Sequence, residues 1–263
     1  EVARADLDVA LDELTRLTVE GSVEPGPLPP EPVPALLGGP VELDLAVARE
    51  GEMGVRLDGS TLTTPTTRLT LDGTVDAGAN RVDLRAEAAL PDPGPVNAML
   101  APAELTKPEA TLTASGPPTA PELTLDARAA SVASSNGAID GLRAEATYSP
   151  DGDPLQGELT ATLTGARVTP PDAPVLAPLA GEPLTADLTA GLDLADARMR
   201  DVDATLALAD ARVRLDGGAD LAAGAGDAVV SVKVPRLARF TEPAGFAVAG
   251  TAHLNGHLRA GGA

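Results

Sequence analysis

The chain of 263 residues contains no cysteine and no tryptophan, and it has only one tyrosine and two phenylalanines. Without cysteine, disulfide frameworks, thiolate metal sites and cysteine nucleophiles are excluded. Compact cores usually contain several large aromatic side chains, because each buries far more apolar surface than an alanine does. The shortage of aromatic residues therefore argues against an ordinary compact enzyme core.

Basic residues are also scarce, since 19 Lys and Arg stand against 39 Asp and Glu and give a net charge of −20. Nucleic-acid binding needs a basic surface and usually aromatic side chains that stack on bases, so no nucleic-acid partner is expected. No apolar run approaches the roughly 18 residues of a membrane span. Because the first residue is Glu1, any targeting segment or membrane anchor is expected upstream of this chain.

Small and medium apolar residues are abundant, and they alternate with polar ones. The even positions from Leu184 to Leu194 are Leu or Ala, whereas the odd positions are Thr, Asp or Gly. Residues 155–163, 228–234 and 246–254 have the same period. A period of two places successive side chains on opposite faces of a strand. The pattern therefore predicts half-buried strands, although Ala and Leu favour helices by propensity.

Turn signals separate the alternating segments. Asn136-Gly137 and the segment 150–153 predict turns between strands. A change of parity near Asp210 predicts a bulge or a corner. Four further steps predict either turns or bulges within long strands: Asp58-Gly59, Asp72-Gly73, Asp216-Gly217 and Asn255-Gly256.

The sequence also resembles itself, with short apolar segments that begin near residues 34, 100, 176 and 237 and precede strands. These segments predict one continuous array of repeats over residues 1–263, each a loop or helical turn followed by four or five strands. Repeats of this kind bury their apolar faces by stacking. We therefore expect an all-β fold of roughly 16 to 18 strands. The predicted sheet is elongated and curled into a half-pipe groove, or β-taco, with an apolar inner face.

Residues 176–184, which read Leu-Ala-Pro-Leu-Ala-Gly-Glu-Pro-Leu, precede alternating Leu and Ala strands. Together with the recurrent Leu-Asp-Gly and Leu-Asn-Gly steps, this texture resembles the TamB proteins from about residue 34 to residue 261. TamB is the inner-membrane subunit of the translocation and assembly module and is related to AsmA-like, bridge-like lipid transfer proteins.

The resemblance implies a middle segment of a periplasmic β-sheet groove, anchored to the inner membrane through a segment outside this chain. It further implies phospholipid transport towards the outer membrane. An outer-membrane barrel partner of the TamA type and support of outer-membrane protein assembly, including that of autotransporters, are implied as well.

The predicted ligands are phospholipid acyl chains, because an apolar trough that the protein cannot fill is suited to another apolar molecule. The same side chains could instead close a dry core. A structural β-solenoid or adhesin stalk of a secreted or surface protein is the alternative function. The predicted groove-lining residues are Leu159, Leu163, Leu184, Leu188, Leu192, Leu206, Val230, Val232, Val248 and Leu254.

The sequence predicts no catalytic residue, no cofactor and no metal site, and thus no enzyme. His253 and His257 are the only histidines, and on a strand they would lie roughly 13 Å apart, too far to bind one zinc ion. The segment 151–153 begins like a calcium loop, but Leu155 occupies a position where an oxygen ligand is required. The dispersed arginines are interpreted as partners of the acidic residues on a solvated face.

Overall fold

Strands dominate the chain, as the two-residue period predicts. The computed structural model describes residues 4–12, 16–24, 39–220, 222–243, 245 and 248–261. These residues contain 17 strands, within the predicted range of 16 to 18, and two short α-helices and a 3₁₀ helix. The all-β prediction is therefore confirmed, and the strand pattern has outweighed the helix propensity of Ala and Leu.

The chain divides into two compact units, residues 1–129 and residues 130–263, and β9 continues across the boundary. The first unit contains β1 (Arg4–Asp12), β2 (Arg16–Glu24), β3 (Val41–Glu50), β4 (Gly54–Thr63), β5 (Arg68–Asp76), β6 (Arg81–Ala89), β7 (Glu104–Thr106), β8 (Glu109–Gly116) and most of β9 (Glu122–Ser134). The second unit contains β10 (Gly137–Pro150), β11 (Gln156–Gly165), β12 (Arg167–Thr169), β13 (Leu184–Asp193), β14 (Arg198–Leu208), β15 (Ala211–Asp220), β16 (Ala225–Val234) and β17 (Ala252–Ala260).

Within each unit the long strands pair antiparallel with their neighbours in sequence. In the first unit the order is β1, β2, β3, β4, β5, β6, β8 and β9. In the second unit it is β10, β11, β13, β14, β15, β16 and β17, and the short β12 pairs with β10 beyond the end of β11. The curl of the sheet into a groove stays a prediction.

Short helical elements lie near the predicted repeat starts. They are α1 (Gly94–Leu100), the 3₁₀ helix Pro174–Leu179 and α2 (Ala238–Thr241). Four long strands, β8 to β11, lie between α1 and the 3₁₀ helix, and four more, β13 to β16, lie between the 3₁₀ helix and α2. The strands β7 and β12 have only three residues each and are not counted here. The division into repeats that start near these elements stays a prediction, and the predicted start near residue 34 lies outside the described residues.

Turns are present at both predicted positions. The turn at Asn136-Gly137 connects β9 to β10, and the turn that begins at residues 150–153 connects β10 to β11. Asp58-Gly59 instead forms a bulge inside β4, where the pairing register with β5 shifts between Leu57 and Ser60. Gly59 has a φ of +62° there, and its N–H donates a 2.7 Å hydrogen bond to the carboxylate of Asp72. The aspartate of one Leu-Asp-Gly step thus holds the bulge that forms at another such step in the neighbouring strand.

The predicted bulge or corner near Asp210 needs correction. Leu208 pairs with Ala211, so Ala209 and Asp210 form the two-residue loop of a β-hairpin between β14 and β15. A hairpin reverses the chain, and the parity of the apolar positions changes with it. The bulge in this region lies earlier, where Arg200 and Asp201 of β14 are inserted between Met199 and Val202.

Few apolar side chains of the described residues are buried. They are Val41, Ala46, Val82, Ala129, Leu184, Ala190 and Val202, and most of them are small. The remaining apolar positions of the strands are mainly half-buried. The shortage of large side chains seen in the sequence therefore corresponds to a thin core and to apolar faces that remain partly accessible.

Candidate functional site

The candidate site is one face of the second unit. Residues directly opposite each other in an antiparallel pair point to the same face of the sheet. Leu188 of β13 lies opposite Ala161 of β11 and Ala204 of β14, and Leu215 of β15 lies opposite both Ala204 and Val230 of β16. Successive pairs of this kind form one apolar surface that extends from β10 to β17. This surface is the apolar face of the second unit.

Nine of the ten predicted lining residues lie on strands and on this face: Leu159, Leu163, Leu184, Leu188, Leu192, Leu206, Val230, Val232 and Leu254. Their contact with lipid stays a prediction.

Val248 needs correction, because it lies outside the strands and β17 begins only at Ala252. Phe246, the first residue of the predicted strand, lies outside the described residues. The loop that contains Val248 is held by hydrogen bonds from the Leu237 N–H to the Gly250 carbonyl and from the Thr241 hydroxyl to the Val248 carbonyl. These contacts replace strand pairing at residue 248.

The apolar face is open to a large degree. Leu184 at the end of β13 is 7% exposed, but Leu206 and Leu254 are 37% and 68% exposed. The other predicted residues on the face are half-buried. A dry core would leave such side chains almost inaccessible. The exposed fractions therefore do not fit the dry-core interpretation of this face.

One concavity of the apolar face has a volume of about 440 Å³ and is named the Leu188 cavity. Five neighbouring strands each contribute two apolar side chains to it, and the polar residues that alternate with them point to the opposite face. The apolar lining residues are Ala144, Ala146, Ala161, Leu163, Ala186, Leu188, Ala204, Leu206, Val213 and Leu215.

A second concavity of about 460 Å³ is named the Ala228 cavity and extends over β14 to β17. It shares Leu215 with the Leu188 cavity, so that this side chain lies in the wall of both. Its other lining residues are Met199, Val202, Gly218, Ala219, Gly226, Asp227, Ala228, Leu258, Arg259 and Ala260.

The sequence prediction covered three residues of the Leu188 cavity, Leu163, Leu188 and Leu206, and none of the Ala228 cavity. Leu258 could have been found, because it continues the even parity of Leu254 past Asn255-Gly256. Asn255-Gly256 lies within β17 without a register shift and does not end the strand. Met199 was hidden by the bulge, since Met199 and Val202 share a face despite their opposite parity.

The bulge in β14 has a local cause and a consequence for the site. Asp201 adopts a φ of +50°, and the residues Arg200 and Asp201 together oppose the single residue Gly218 of β15. Beside the bulge, Ala190 of β13 is 2% exposed and Val202 is 9% exposed. Bulges increase the local twist and bend the strand, so we expect β14 to bend between Met199 and Val202.

The opposite face of the unit is charged. Arg214 contacts Asp203 at 2.8 Å and Asp216 at 3.0 Å, and Arg198 contacts Asp196 and Asp220 at 3.1 and 3.2 Å. The hydrogen bond from Arg214 to Asp216 and the charge of Asp203 raise the pKa of the Arg214 guanidinium. Exposed pairs of this kind contribute little stability each, and they keep this face solvated.

Tyr148 lies at one side of the apolar face, opposite Leu159. Its hydroxyl donates a hydrogen bond to the carbonyl oxygen of Pro154 at 3.1 Å. Burial, followed by the charges of Asp153 and Asp193, raises the pKa of the phenol. The only tyrosine of the chain therefore keeps its proton at neutral pH, and its hydroxyl fixes the turn between β10 and β11.

The first unit has a polar concavity of about 380 Å³ on β5, β6, β8 and β9. It contains three arginines and three acidic residues, so their charges balance; Arg85 and Glu87, for example, contact each other at 2.7 Å. Its charged lining residues are Arg68, Arg85, Glu87, Glu109, Asp126 and Arg128.

Across the described ranges, no group of three or more His, Asp or Glu side chains is arranged to hold a metal ion. His257 faces Asp227 at 3.9 Å. None of the helices in the described part of the chain has the length and apolarity to cross a membrane.

The chain matches no protein-family model, no curated protein and no solved structure.

Proposed function

We propose that the second unit conducts phospholipid acyl chains along its apolar face. The observation that carries this proposal is the Leu188 cavity, an accessible concavity of about 440 Å³ whose inward-facing side chains are all Leu, Val or Ala. Ligand pockets typically have volumes of about 300–1,000 Å³ and mostly apolar walls. An apolar surface left open on a chain with a net charge of −20 is suited to an amphiphile rather than to a polar metabolite.

Conduction would be passive. The apolar side chains of the face offer dispersion contacts of similar strength along its length, so an acyl chain can slide without a single tight site. Phospholipid head groups would stay in water, because burying a charged phosphate without partners is costly. The acidic and arginine-rich opposite face keeps the sheet soluble without contacting the ligand.

The wider setting of the proposal rests on the sequence resemblance to TamB proteins. In that setting the chain is a periplasmic segment that carries phospholipids between the inner and outer membranes. It acts with an outer-membrane barrel partner of the TamA type and supports the assembly of outer-membrane proteins such as autotransporters. The inner-membrane anchor would belong to a segment outside this chain.

The alternative, a β-solenoid or adhesin stalk, is less well supported. Solenoids stack short coils of near-constant length, commonly as a parallel β-helix. The long strands of both units pair antiparallel with their sequence neighbours and follow hairpin-like turns. No coil of that kind can be traced through β13 to β16, so the antiparallel pairing favours the lipid-binding function.

The test is photocrosslinking in cells that produce the protein. A photoreactive amino acid at position 188 points into the Leu188 cavity, and one at position 185 of the same strand lies on the opposite face. We expect phospholipid adducts at position 188 and not at position 185, detected by mass spectrometry of the purified protein. Absence of phospholipid at both positions, with both variants folded, would overturn the proposed function.

A further inference from the structure

We infer that Asn136 is a site of spontaneous deamidation, where the side-chain amide becomes a carboxylate without an enzyme. The chain has four asparagines, and two of them, Asn136 and Asn255, precede a glycine. Glycine favours this reaction, because it has no Cβ atom to hinder the approach of its backbone nitrogen to the asparagine side chain. Asn136 lies in a turn and Asn255 in a strand, so the fold makes two chemically similar steps unequal. This inference goes beyond the proposed function and involves no lipid.

The side chain of Asn136 is exposed in the turn between β9 and β10. Two hydrogen bonds hold the backbone of this turn. The Asn136 N–H donates one to the Ser134 hydroxyl at 3.1 Å, and that hydroxyl donates one to the Gly137 carbonyl at 3.4 Å. No residue of the described ranges forms a hydrogen bond with the side-chain amide of Asn136. This amide can therefore rotate towards the Gly137 nitrogen without losing a partner.

Asn255 is exposed as well, so access to water does not distinguish the two steps. Its backbone lies opposite Ser231 of β16, and its side-chain oxygen accepts a 2.7 Å hydrogen bond from the Ser231 hydroxyl. A strand keeps ψ at about +135°, which points the following backbone nitrogen away from the side chain. The reaction at Asn255 therefore requires β17 to separate locally from β16, and a paired strand opens at a higher free energy than a turn does.

The reaction uses only water and the residues of the Asn-Gly step. The Gly137 nitrogen loses its proton to the solvent and attacks the Cγ atom of Asn136. A C–N bond forms, the bond between Cγ and the amide nitrogen breaks, and that nitrogen leaves as ammonia. Water then opens the succinimide ring at either carbonyl, and nothing is oxidised or reduced. Opening at Cγ leaves aspartate, whereas opening at the main-chain carbonyl leaves isoaspartate, which lengthens the backbone by one carbon atom. Both products add a negative charge to the turn.

Gly137 tolerates no side chain, so the reactive step is built into the turn. Its φ is +123°, and a Cβ atom there would lie 2.4 Å from the carbonyl oxygen of Thr169 in β12. Asn136, by contrast, does not adopt a left-handed backbone, so the turn does not require asparagine at this position. Asn136→Gln should consequently preserve the fold and slow the reaction, because glutamine has to close a larger ring.

The experiment incubates the full chain at mildly alkaline pH in water enriched in heavy oxygen, which labels only carboxylates formed during the incubation. Peptide mass spectrometry then measures the loss of the amide at positions 136 and 255. In the folded chain we expect the reaction at position 136 to be at least about tenfold faster, because turns open more readily than paired strands. In urea both positions should react at similar rates, since both are Asn-Gly steps. Asn136→Gln should suppress the reaction at position 136 and leave that at position 255 unchanged.

Equal rates at the two positions of the folded chain would overturn the inference, and so would a faster reaction at position 255. If the folded chain does not react at position 136 while the unfolded chain reacts at both positions, the turn protects Asn136 and the inference is equally wrong. A reaction that persists undiminished in the Asn136→Gln peptide would assign it to a neighbouring residue and would contradict the inference as well. None of these outcomes depends on lipid binding, so the proposed function is tested separately.

Discussion

Arg239 of α2 donates a hydrogen bond from Nη2 to the carbonyl oxygen of Pro178, 2.9 Å away in the 3₁₀ helix. The same guanidinium contacts the carboxylates of Glu182 and, at 3.5 Å, of Asp210. Arg239 and Pro178 are separated by 61 residues, which is also the spacing of the predicted repeat starts near 176 and 237. One arginine thus connects the 3₁₀ helix and α2 to each other and to the β14–β15 hairpin.

Arg239→Ala should lower the free energy of unfolding by about 1–2 kcal/mol. Hydrogen bonds to charged groups typically contribute about 1.5–3 kcal/mol, and partial solvent screening of a side chain that is 28% exposed reduces this value. Urea denaturation followed by circular dichroism measures the change. The control is Arg212→Ala on the exposed face of β15, which should change the stability by less than about 0.5 kcal/mol. Equal losses of unfolding free energy in the two variants would contradict the role of Arg239 in connecting these elements.

Acid should weaken the same cluster through Asp210. A hydrogen bond from Arg236 is the main cause that holds the pKa of the Asp210 carboxyl below its ordinary value, with smaller contributions from the backbone and the charges of Arg236 and Arg239. Because the folded state favours the ionised form, the contribution is complete above the ordinary aspartate pKa of about 3.9 and is lost as the pH falls through the lowered value.

Asp210→Asn removes this titration. At about pH 6 the variant should unfold at a lower urea concentration than the unmodified chain, and the difference should shrink towards zero as the pH is lowered below about 3.9. A difference between the two midpoints that does not vary with pH would show that Asp210 acts through packing and not through its charge.

Two of the four glycines in Leu-Asp-Gly and Leu-Asn-Gly steps, Gly217 and Gly256, should respond differently to substitution. A Cβ atom on Gly217 would lie 2.2 Å from the carbonyl oxygen of Asp227 and 2.7 Å from the Cα atom of Ala228. Gly217→Ala should therefore cost about 1–3 kcal/mol, as overpacking does. Gly256→Ala is the matched control, since nothing lies within 4 Å of its Cβ position. That variant should be neutral or slightly more stable, because alanine restricts the unfolded chain; thermal unfolding compares the two.

The strands could be predicted from the sequence because period-two alternation is a local property. Leu184 to Asp193 shows it in full, and the structure begins and ends β13 at these residues. The prediction of a strand at Val248 failed, because alternation does not report contacts with other segments. Its neighbours alternate as in a strand, but distant contacts from Leu237 and Thr241 hold the segment as a loop. No local pattern reports contacts of this kind.

The cavities were only partly predictable for the same reason. Leu163, Leu188 and Leu206 follow from parity, and the register then brings them together. Met199 and Val202 enter the Ala228 cavity only because a bulge changes the parity of β14. The bulge depends on the left-handed backbone of Asp201, a conformation that the residue type permits but does not require.

Ser60 should be essential to the bulge in the first unit. Its side chain is 1% exposed, and its hydroxyl accepts a hydrogen bond from the Ala46 N–H at 3.1 Å and donates one to the Ala46 carbonyl at 3.3 Å. Ser60→Ala leaves both buried backbone groups without this partner, so we expect a loss of about 1–3 kcal/mol in urea denaturation. Ser115→Ala, at an exposed position of β8, serves as the control and should cost less than about 0.5 kcal/mol. A similar small effect at both positions would mean that water replaces the Ser60 hydroxyl.

Leu188→Asp should abolish acyl-chain binding while the fold is retained. Leu188 is half-buried and lines the Leu188 cavity, where an ionised carboxylate would have to be desolvated by any acyl chain that covers it. We expect the affinity for a fluorescent fatty acid to fall at least tenfold. The thermal unfolding temperature should fall only moderately, because the new side chain can remain hydrated at the accessible face. Thr185→Asp adds the same charge to the opposite face of β13, between Thr164 and Ala207, and should bind like the unmodified chain. Equal losses of binding in both variants would indicate that net charge, and not the apolar face, controls the interaction.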